Sequence, residues 1–371
     1  KINATLICTA LCAPAVGAPA TGSLTTGIGN LELGAPSAKF GEYSGLGDDA
    51  VLFLGKLNLD WREQAHYLNV DAADIGNDTL HMGLRGGVSQ VLRIDLTYDQ
   101  IPHLISHNAR SPYGGVRSAS LTLPAGFVPA ATTAGMTTLA TSLNDVEVET
   151  ERKHTKLAIR RRLNSKWAAL FDIDQKTKSG LQPLGAAVGQ NGGLVDGVIL
   201  PAPVDYQQTD LGFGVSYQTE KIQLQLRYTA SEFENEHAAL RWDVPFLKAS
   251  PTADTYPTTA QTSLPADNTM DRISLNAGYA VNAYSRLSLV LEQSTLEQDV
   301  TLLPYTINPA IALTSDLPRT RTAAEIDVSH ATVNFTTQPL AALWLNARYR
   351  RYAMDNQTPR TLFLRVTNDT T

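Results

Sequence analysis

The sequence predicts an all-β protein, an antiparallel transmembrane β-barrel of the outer-membrane type. Three observations lead there. Segments of about ten residues alternate strictly between apolar and polar side chains. The gaps between them alternate between tight turns and long loops, the layout of an outer-membrane barrel. No stretch of the 371 residues comes near the roughly 18 to 20 apolar residues of a membrane-spanning helix. Composition alone is silent. The chain is 43% hydrophobic with a mean hydropathy of -0.14, and in a barrel the two faces of each strand cancel in such averages.

From the N-terminus, Lys1 precedes a largely apolar run over 2–16, and Ala18-Pro19-Ala20 offers small residues for cleavage. That pattern predicts an export signal over 1–20, with the barrel over 21–371. Both cysteines, Cys8 and Cys12, fall inside the signal. The mature part would then have no disulfide, thiolate metal site or thiol nucleophile.

The alternation predicts strands over 23–33, 51–61, 65–73, 79–86, 90–98, 153–163, 166–174, 206–218, 221–231, 271–281, 285–297, 324–336 and 341–352, with a fourteenth beginning at Leu362. Ile222, Leu224, Leu226 and Tyr228 oppose Gln223, Gln225 and Arg227. Ile273, Leu275, Ala277 and Tyr279 oppose Ser274, Asn276 and Gly278. Leu343, Leu345, Ala347 and Tyr349 oppose Trp344, Asn346, Arg348 and Arg350. The polar members Gln223, Gln225, Arg227, Asn276, Asn346 and Arg348 are the candidate lumen lining, and the apolar members face lipid. Gaps 99–152, 175–205, 232–270 and 298–323 are long; those after 163, 218, 281 and 336 are tight. With the N-terminus in the periplasm, the tight turns are periplasmic and the long loops extracellular. Trp61, Trp167, Tyr217, Tyr279, Tyr284 and Trp344 near the periplasmic ends, and Tyr98 and Tyr352 near the other, suit interfacial girdles. Thirteen strands and a stub do not finish a fold that closes on an even count, so more chain is expected before closure.

Chemical motifs are few. No Cys-x-x-Cys-His occurs, so no c-type haem attaches to this chain. Gly45-Leu-Gly-Asp-Asp-Ala50 resembles a dinucleotide fingerprint, but no strand-to-helix unit surrounds it and Asp48 and Asp49 would repel a pyrophosphate. His103 and His107 have helical metal spacing, but Pro102 argues against a helix and a third ligand is missing. Arg160, Arg161 and Arg162 form a basic cluster at a periplasmic strand end, read as headgroup snorkelling or as a docking rim for a periplasmic partner. The net charge of -6 and the lack of a basic stripe with interleaved aromatics exclude a nucleic-acid partner. No acid/base pair or nucleophile stands out, which argues against an enzyme.

Several phrases, taken in order, resemble the MtrB/PioB family of outer-membrane proteins of extracellular electron conduits. They are Lys39-Phe-Gly-Glu-Tyr-Ser-Gly-Leu46, Tyr98-Asp-Gln-Ile-Pro-His103, Ser111-Pro-Tyr113, Leu264-Pro-Ala-Asp-Asn268, Leu303-Pro-Tyr-Thr-Ile-Asn-Pro309 and Asp355-Asn-Gln-Thr-Pro359. Asp99, Gln100, Ile101, Pro102 and His103 are a family-marker loop with no chemical role assigned. A Cys-x-x-Cys that some members carry near the mature N-terminus is missing. The resemblance implies a chain about twice this long. It implies a sheath in the outer membrane that binds no cofactor itself and holds a periplasmic multihaem c-type cytochrome, with an extracellular cytochrome as a further partner. The rival reading is a passive porin for small solutes.

Overall fold

The computed structural model describes residues 2–12, 20–34, 36–47, 49–191, 194–247, 257–313 and 315–364. In chain order the elements are β1 (Ile2–Cys12), β2 (Ala20–Leu31), α1 (Ala38–Gly41), β3 (Ala50–Glu63), β4 (His66–Ala73), β5 (His81–Val88), β6 (Leu92–Ser111), β7 (Ser120–Leu121), α2 (Leu139–Ser142), β8 (Asn144–Arg162), β9 (Trp167–Asn191) and β10 (Leu194–Gln218). There follow β11 (Ile222–Asn235), β12 (Ala239–Asp243), β13 (Thr259–Ser263), β14 (Asn268–Asn282), β15 (Ser285–Gln298), β16 (Ala324–Leu340) and β17 (Leu343–Asn356). The two α-helices are four residues each.

Fourteen strands form one sheet in the order β1-β2-β3-β4-β5-β6-β8-β9-β10-β11-β14-β15-β16-β17. Every pairing in it is antiparallel, between strands that follow one another in the chain apart from β7, β12 and β13, which lie outside this sheet. Such a meander follows from tight turns between amphipathic strands. β1 and β17 are its edges, and the sheet is open between them. All thirteen predicted strands are present, with β1 added beside β2. Residues 13–19, most of the cleavage region predicted for the export signal, lie outside the described residues.

Three expectations are corrected. The fourteenth strand at Leu362 is not formed: 357–364 is irregular, and Leu364 N donates to the Tyr305 hydroxyl at 3.1 Å. The predicted loop 175–205 is largely strand, and both ends of the predicted loop 99–152 are strand. β6 and β8 run on together to the pair Ser111↔Asn144. β9 and β10 stay paired from Trp167↔Tyr217 to Leu194↔Asn191. At about 3.3 Å per residue, the 25 residues of β9 reach roughly 80 Å. A membrane crossing takes only about 9 to 11 residues, so this hairpin projects far past it. Tyr98 therefore lies within β6 rather than at its end.

Over the projecting hairpin, parts of the predicted loops 99–152 and 232–270 fold into a cap. β12 pairs antiparallel with β13 and parallel with β7, making a three-stranded sheet. Its core packs Tyr113, Leu121, Met136, Leu240, Trp242, Val244, Ala260 and Leu264 against Val188, Leu200 and Ala202 of the hairpin.

Candidate functional site

Pairing register places the candidate residues. Gln225 pairs with Ser216 and Asn276, Gln223 with Gly278, and Arg227 with Gly214 and Ser274. Farther along, Asn334 pairs with Arg348 and Thr336 with Asn346. Directly paired residues share a face of a sheet. Gln223, Gln225, Arg227 and Asn276 therefore lie on one face, and the register of β14, β15 and β16 carries that face on to Asn346 and Arg348. The opposite face collects Leu224, Leu226, Leu275 and Leu345, all on the alternate parity, and many of its side chains stay exposed, Phe213 at 52% and Ile273 at 50%. At the tight-turn end of that face Trp167 and Tyr217 pack at 4.8 Å, with Tyr279 on the same parity. Trp344 and Tyr352 fall instead on the polar face, so the girdle reading does not extend to them.

The polar face is a network rather than a row of separate side chains. Arg227 Nη2 donates to Asp172 Oδ2 at 2.7 Å, although β11 and β9 are separated by β10. The strand between carries Gly212 at the crossing, where a Cβ would lie 2.2 Å from Arg227 Nη2. Arg286 reaches across β14 in the same way to donate to Gln223 Oε1 at 2.8 Å, passing over Gly278. A polar side chain can thus span two strands where the middle one has no side chain. Higher on the face, His81 Nδ1 lies 2.6 Å from Asp99 Oδ1 and His81 Nε2 lies 3.1 Å from Asp71 Oδ2. His154 Nε2 is 2.8 Å from Asp174 Oδ1. Lys156 and Lys176 stand 3.2 and 3.4 Å from the same carboxylate, and Lys176 is 3.3 Å from Asp210. The belt crosses β4, β5, β6, β8, β9 and β10. Sequence reading missed it because its partners are far apart in the chain; period-2 parity shared with Arg227 was the signal available.

Asp99, Gln100, Ile101, Pro102 and His103 are strand, not loop, and their side chains alternate between faces. Asp99 joins the polar belt, while Gln100 donates to Glu151, which also pairs with Lys153 at 2.6 Å. Pro102 is tolerated because β6 continues beyond the end of β5 and has one edge free there; proline is confined to such edges. His103 stacks on Tyr43 at 4.8 Å and 11°, and His107 Nδ1 accepts from Ala38 N at 3.1 Å. Both histidines are thus engaged by the α1 loop. Among the described residues no group of three metal-ligating side chains occurs. Of the basic cluster, Arg160 and Arg162 fall on the polar face and Arg161 on the apolar one; all three are exposed.

The other phrases also mark places where loops fold onto strands. Tyr113 is 4% exposed and donates its hydroxyl to Asp243 O at 3.0 Å; burial, with Asp243 close by, pushes its pKa upward. Asn235 donates through its backbone to Asp267 and through its side chain to Pro265 O, each at 2.8 Å. Thr358 Oγ1 accepts from Glu325 N at 3.1 Å.

Residues 34–371 match the family described as outer membrane beta-barrel porin, MtrB/PioB. The chain belongs to that family. It is an outer-membrane β-barrel protein. It is 26% identical over 307 residues to outer membrane protein MtrB of Shewanella baltica (strain OS185), a match over 82% of this chain. The chain spans 42% of the length of that relative. Among solved structures, OmpT of Vibrio cholerae matches at a TM-score of 0.33 and 11% identity, over 91% of this chain and 88% of that one. The ferric-catecholate import receptor Fiu of E. coli K12 matches at 0.33 and 10%, over 96% and 57%.

Proposed function

We propose that the complete barrel is a sheath. In this reading its polar face lines a lumen, its tight turns face the periplasm, and the lumen holds a periplasmic multihaem c-type cytochrome. Electrons cross the outer membrane through that protein's haems, and an extracellular cytochrome at the long-loop end continues the path. Gln223, Gln225, Arg227, Asn276, Asn346 and Arg348 belong to the lumen wall. The barrel performs no chemistry and binds no cofactor; haem comes with the partner.

The observation that supports this most is the breadth of the polar face in a chain of the MtrB/PioB family. Small barrels fill their interior with their own side chains. Here the polar side chains lie along a sheet of fourteen strands, folding sideways onto one another as Arg227 does onto Asp172. A hydrocarbon layer about 30 Å thick is too wide to cross without closely spaced redox centres. This chain's two cysteines, Cys8 and Cys12, cannot make a haem attachment motif.

Proteoliposomes test it. Vesicles with the full-length barrel and its co-purified haem protein should reduce an enclosed dye from an impermeant external reductant, and vesicles with the barrel alone should not. Dye reduction by the haem-free barrel would refute the sheath. Solute flux with no haem protein bound would replace it with an open pore.

A further inference from the structure

The turn end of the polar face carries a charge pattern opposite to that of the whole chain, whose net charge is -6. Two adjoining grooves open there. One, of about 490 Å³, runs between Arg160 and Arg286 over Gly214, Ser216 and Gly278. The other, of about 210 Å³, lies among Arg93, Arg160 and Arg162 beside Tyr67. Arg160 borders both.

Two acids on this stretch are engaged, while Glu220 of the β10–β11 turn is exposed with no ion pair among the described residues. Asp95 takes both Arg85 and Arg93, at 2.7 and 2.6 Å, and Asp60 accepts from Asn69. Arg286 is held by Gln223, a neutral partner. Arg160, Arg162 and Arg348 are exposed and have no acidic partner among the described residues. Farther up, Asp99, Asp174 and Asp210 interleave with His154, Lys156 and Lys176, so that belt neutralises itself. Arg160, Arg162 and Arg348 thus form a group at this end of the face; the cross-strand neighbours Arg152 and Lys178 far above them, and Lys56 on β3, are further cations of that face without an ion pair among the described residues. Each guanidinium presents a planar fork that matches a carboxylate. An enclosed charge is costly without a counter-charge.

We propose that this arginine collar is the docking surface for an acidic protein surface entering the barrel from the turn end. Aspartate and glutamate carboxylates of the inserted protein seat in the two grooves on Arg160, Arg162 and Arg286, and on Arg348, which lies on the same face two strands beyond Ser288 of the first groove. The collar rests on the sheath reading above and adds to it the sign of charge and the end that recognises the partner. Removing the collar should slow entry and make it less dependent on salt, since exposed charges steer association and are screened by ions.

The test uses the full-length protein in non-ionic detergent and fluorescein-labelled poly-L-glutamate, read by anisotropy at low and high salt. Binding should be saturable and salt-sensitive, and labelled poly-L-lysine should bind far more weakly. The combined variant Arg160→Gln, Arg162→Gln, Arg348→Gln should weaken polyglutamate binding roughly tenfold or more. Lysine at the same positions should restore it, which separates charge from folding; heat-modifiable gel mobility checks that each variant is folded. Equal binding by the glutamine variant, or equal binding of polylysine, overturns the collar. Displacement of polyglutamate by acetate at matched carboxylate concentration also overturns it and assigns the grooves to small anions. Native membranes keep the two readings apart. If no haem protein co-purifies with the wild type, the sheath fails, while polyglutamate still reports on the collar. If a haem protein co-purifies undiminished with the glutamine variant at low salt, the collar fails and the sheath stands.

Discussion

Leu200 and Phe213 lie on the same strand, β10, and face different surroundings. Leu200 has no exposed surface, while Phe213 keeps 52% of its own. The two also lie on opposite faces: by parity Leu200 is on the face that carries Asp210 and Gly212 lower down, and Ile199, on the face of Phe213, stays 78% exposed. Around Phe213 the outward side chains, such as Phe171 at 5.1 Å, have only hydrocarbon to pack against. Around Leu200 the protein supplies its own cover from the loops that carry β7, β12 and β13. One strand thus serves two solvents. Its apolar side chains meet lipid on the outward face at Phe213, and on the opposite face at Leu200 they are covered by the cap.

The comparison can be broken most forcefully in the cap. Trp242 is 3% exposed and its Nε1 has no hydrogen-bond partner. Trp242→Ala should cost the cap about 3 to 5 kcal/mol, seen as rapid proteolysis within 112–143 and 236–267 while the large sheet keeps its gel mobility. Trp242→Phe should cost much less, because the unpartnered donor leaves with the indole. Simultaneous collapse of cap and sheet in Trp242→Ala would show that they are not separate units.

A smaller effect is expected in the membrane belt. Leu226 pairs with Leu275 and Val215 on the apolar face. Leu226→Arg should cost about 2 to 4 kcal/mol near the bilayer midplane, measured by denaturant unfolding in lipid vesicles. Gln225→Arg, one residue away on the polar face, should change stability little. Equal costs would mean that the register is slipped by one, since a one-residue slip exchanges the faces.

Smallest is the link between the regions. Tyr43 of the α1 loop stacks on His103 of β6. Tyr43→Ala should cost about 0.5 to 1.5 kcal/mol and speed hydrogen exchange at Leu104 N, which donates to Glu42 O at 3.0 Å. Unchanged exchange there would detach the loop from the strand.

The membrane belt was legible in the sequence because its two faces meet different media, so alternation is enforced residue by residue. Ile222 to Tyr228 shows it most clearly. The extensions were hidden for the opposite reason. Beyond Gly180 on β9 and Tyr206 on β10 the hairpin pairs with neither β8 nor β11, so both strands have a free edge. Pro183 and Pro201, which sit directly opposite each other, are allowed on such edges, yet they read as loop signals. Gly180, at φ +129, reads the same way. A Cβ there would come within 2.3 Å of Glu149 O, just where β8 parts from β9. The polar belt was half legible: parity placed Arg227 on its face, but its bond to Asp172 depends on the bare backbone of Gly212 between them. The family phrases were recognisable as words before they had a physical meaning. The structure gives them one, as the places where loops seat on strands.

The unbroken ladder of β9 and β10 has a mechanical consequence. Hydrogen bonds in such a ladder run across the strands. A partner gripping the cap from outside would pull β9 and β10 together along their length and load the bonds to β8 and β11 side by side, in shear, instead of peeling them one at a time. The root of the hairpin is stitched to β8 from Thr150 to Arg162 and to β11 from Gln223 to Asn235, so tension at the cap spreads into the barrel wall. The hairpin is in that sense a tether anchored in the wall, and the cap is its handle.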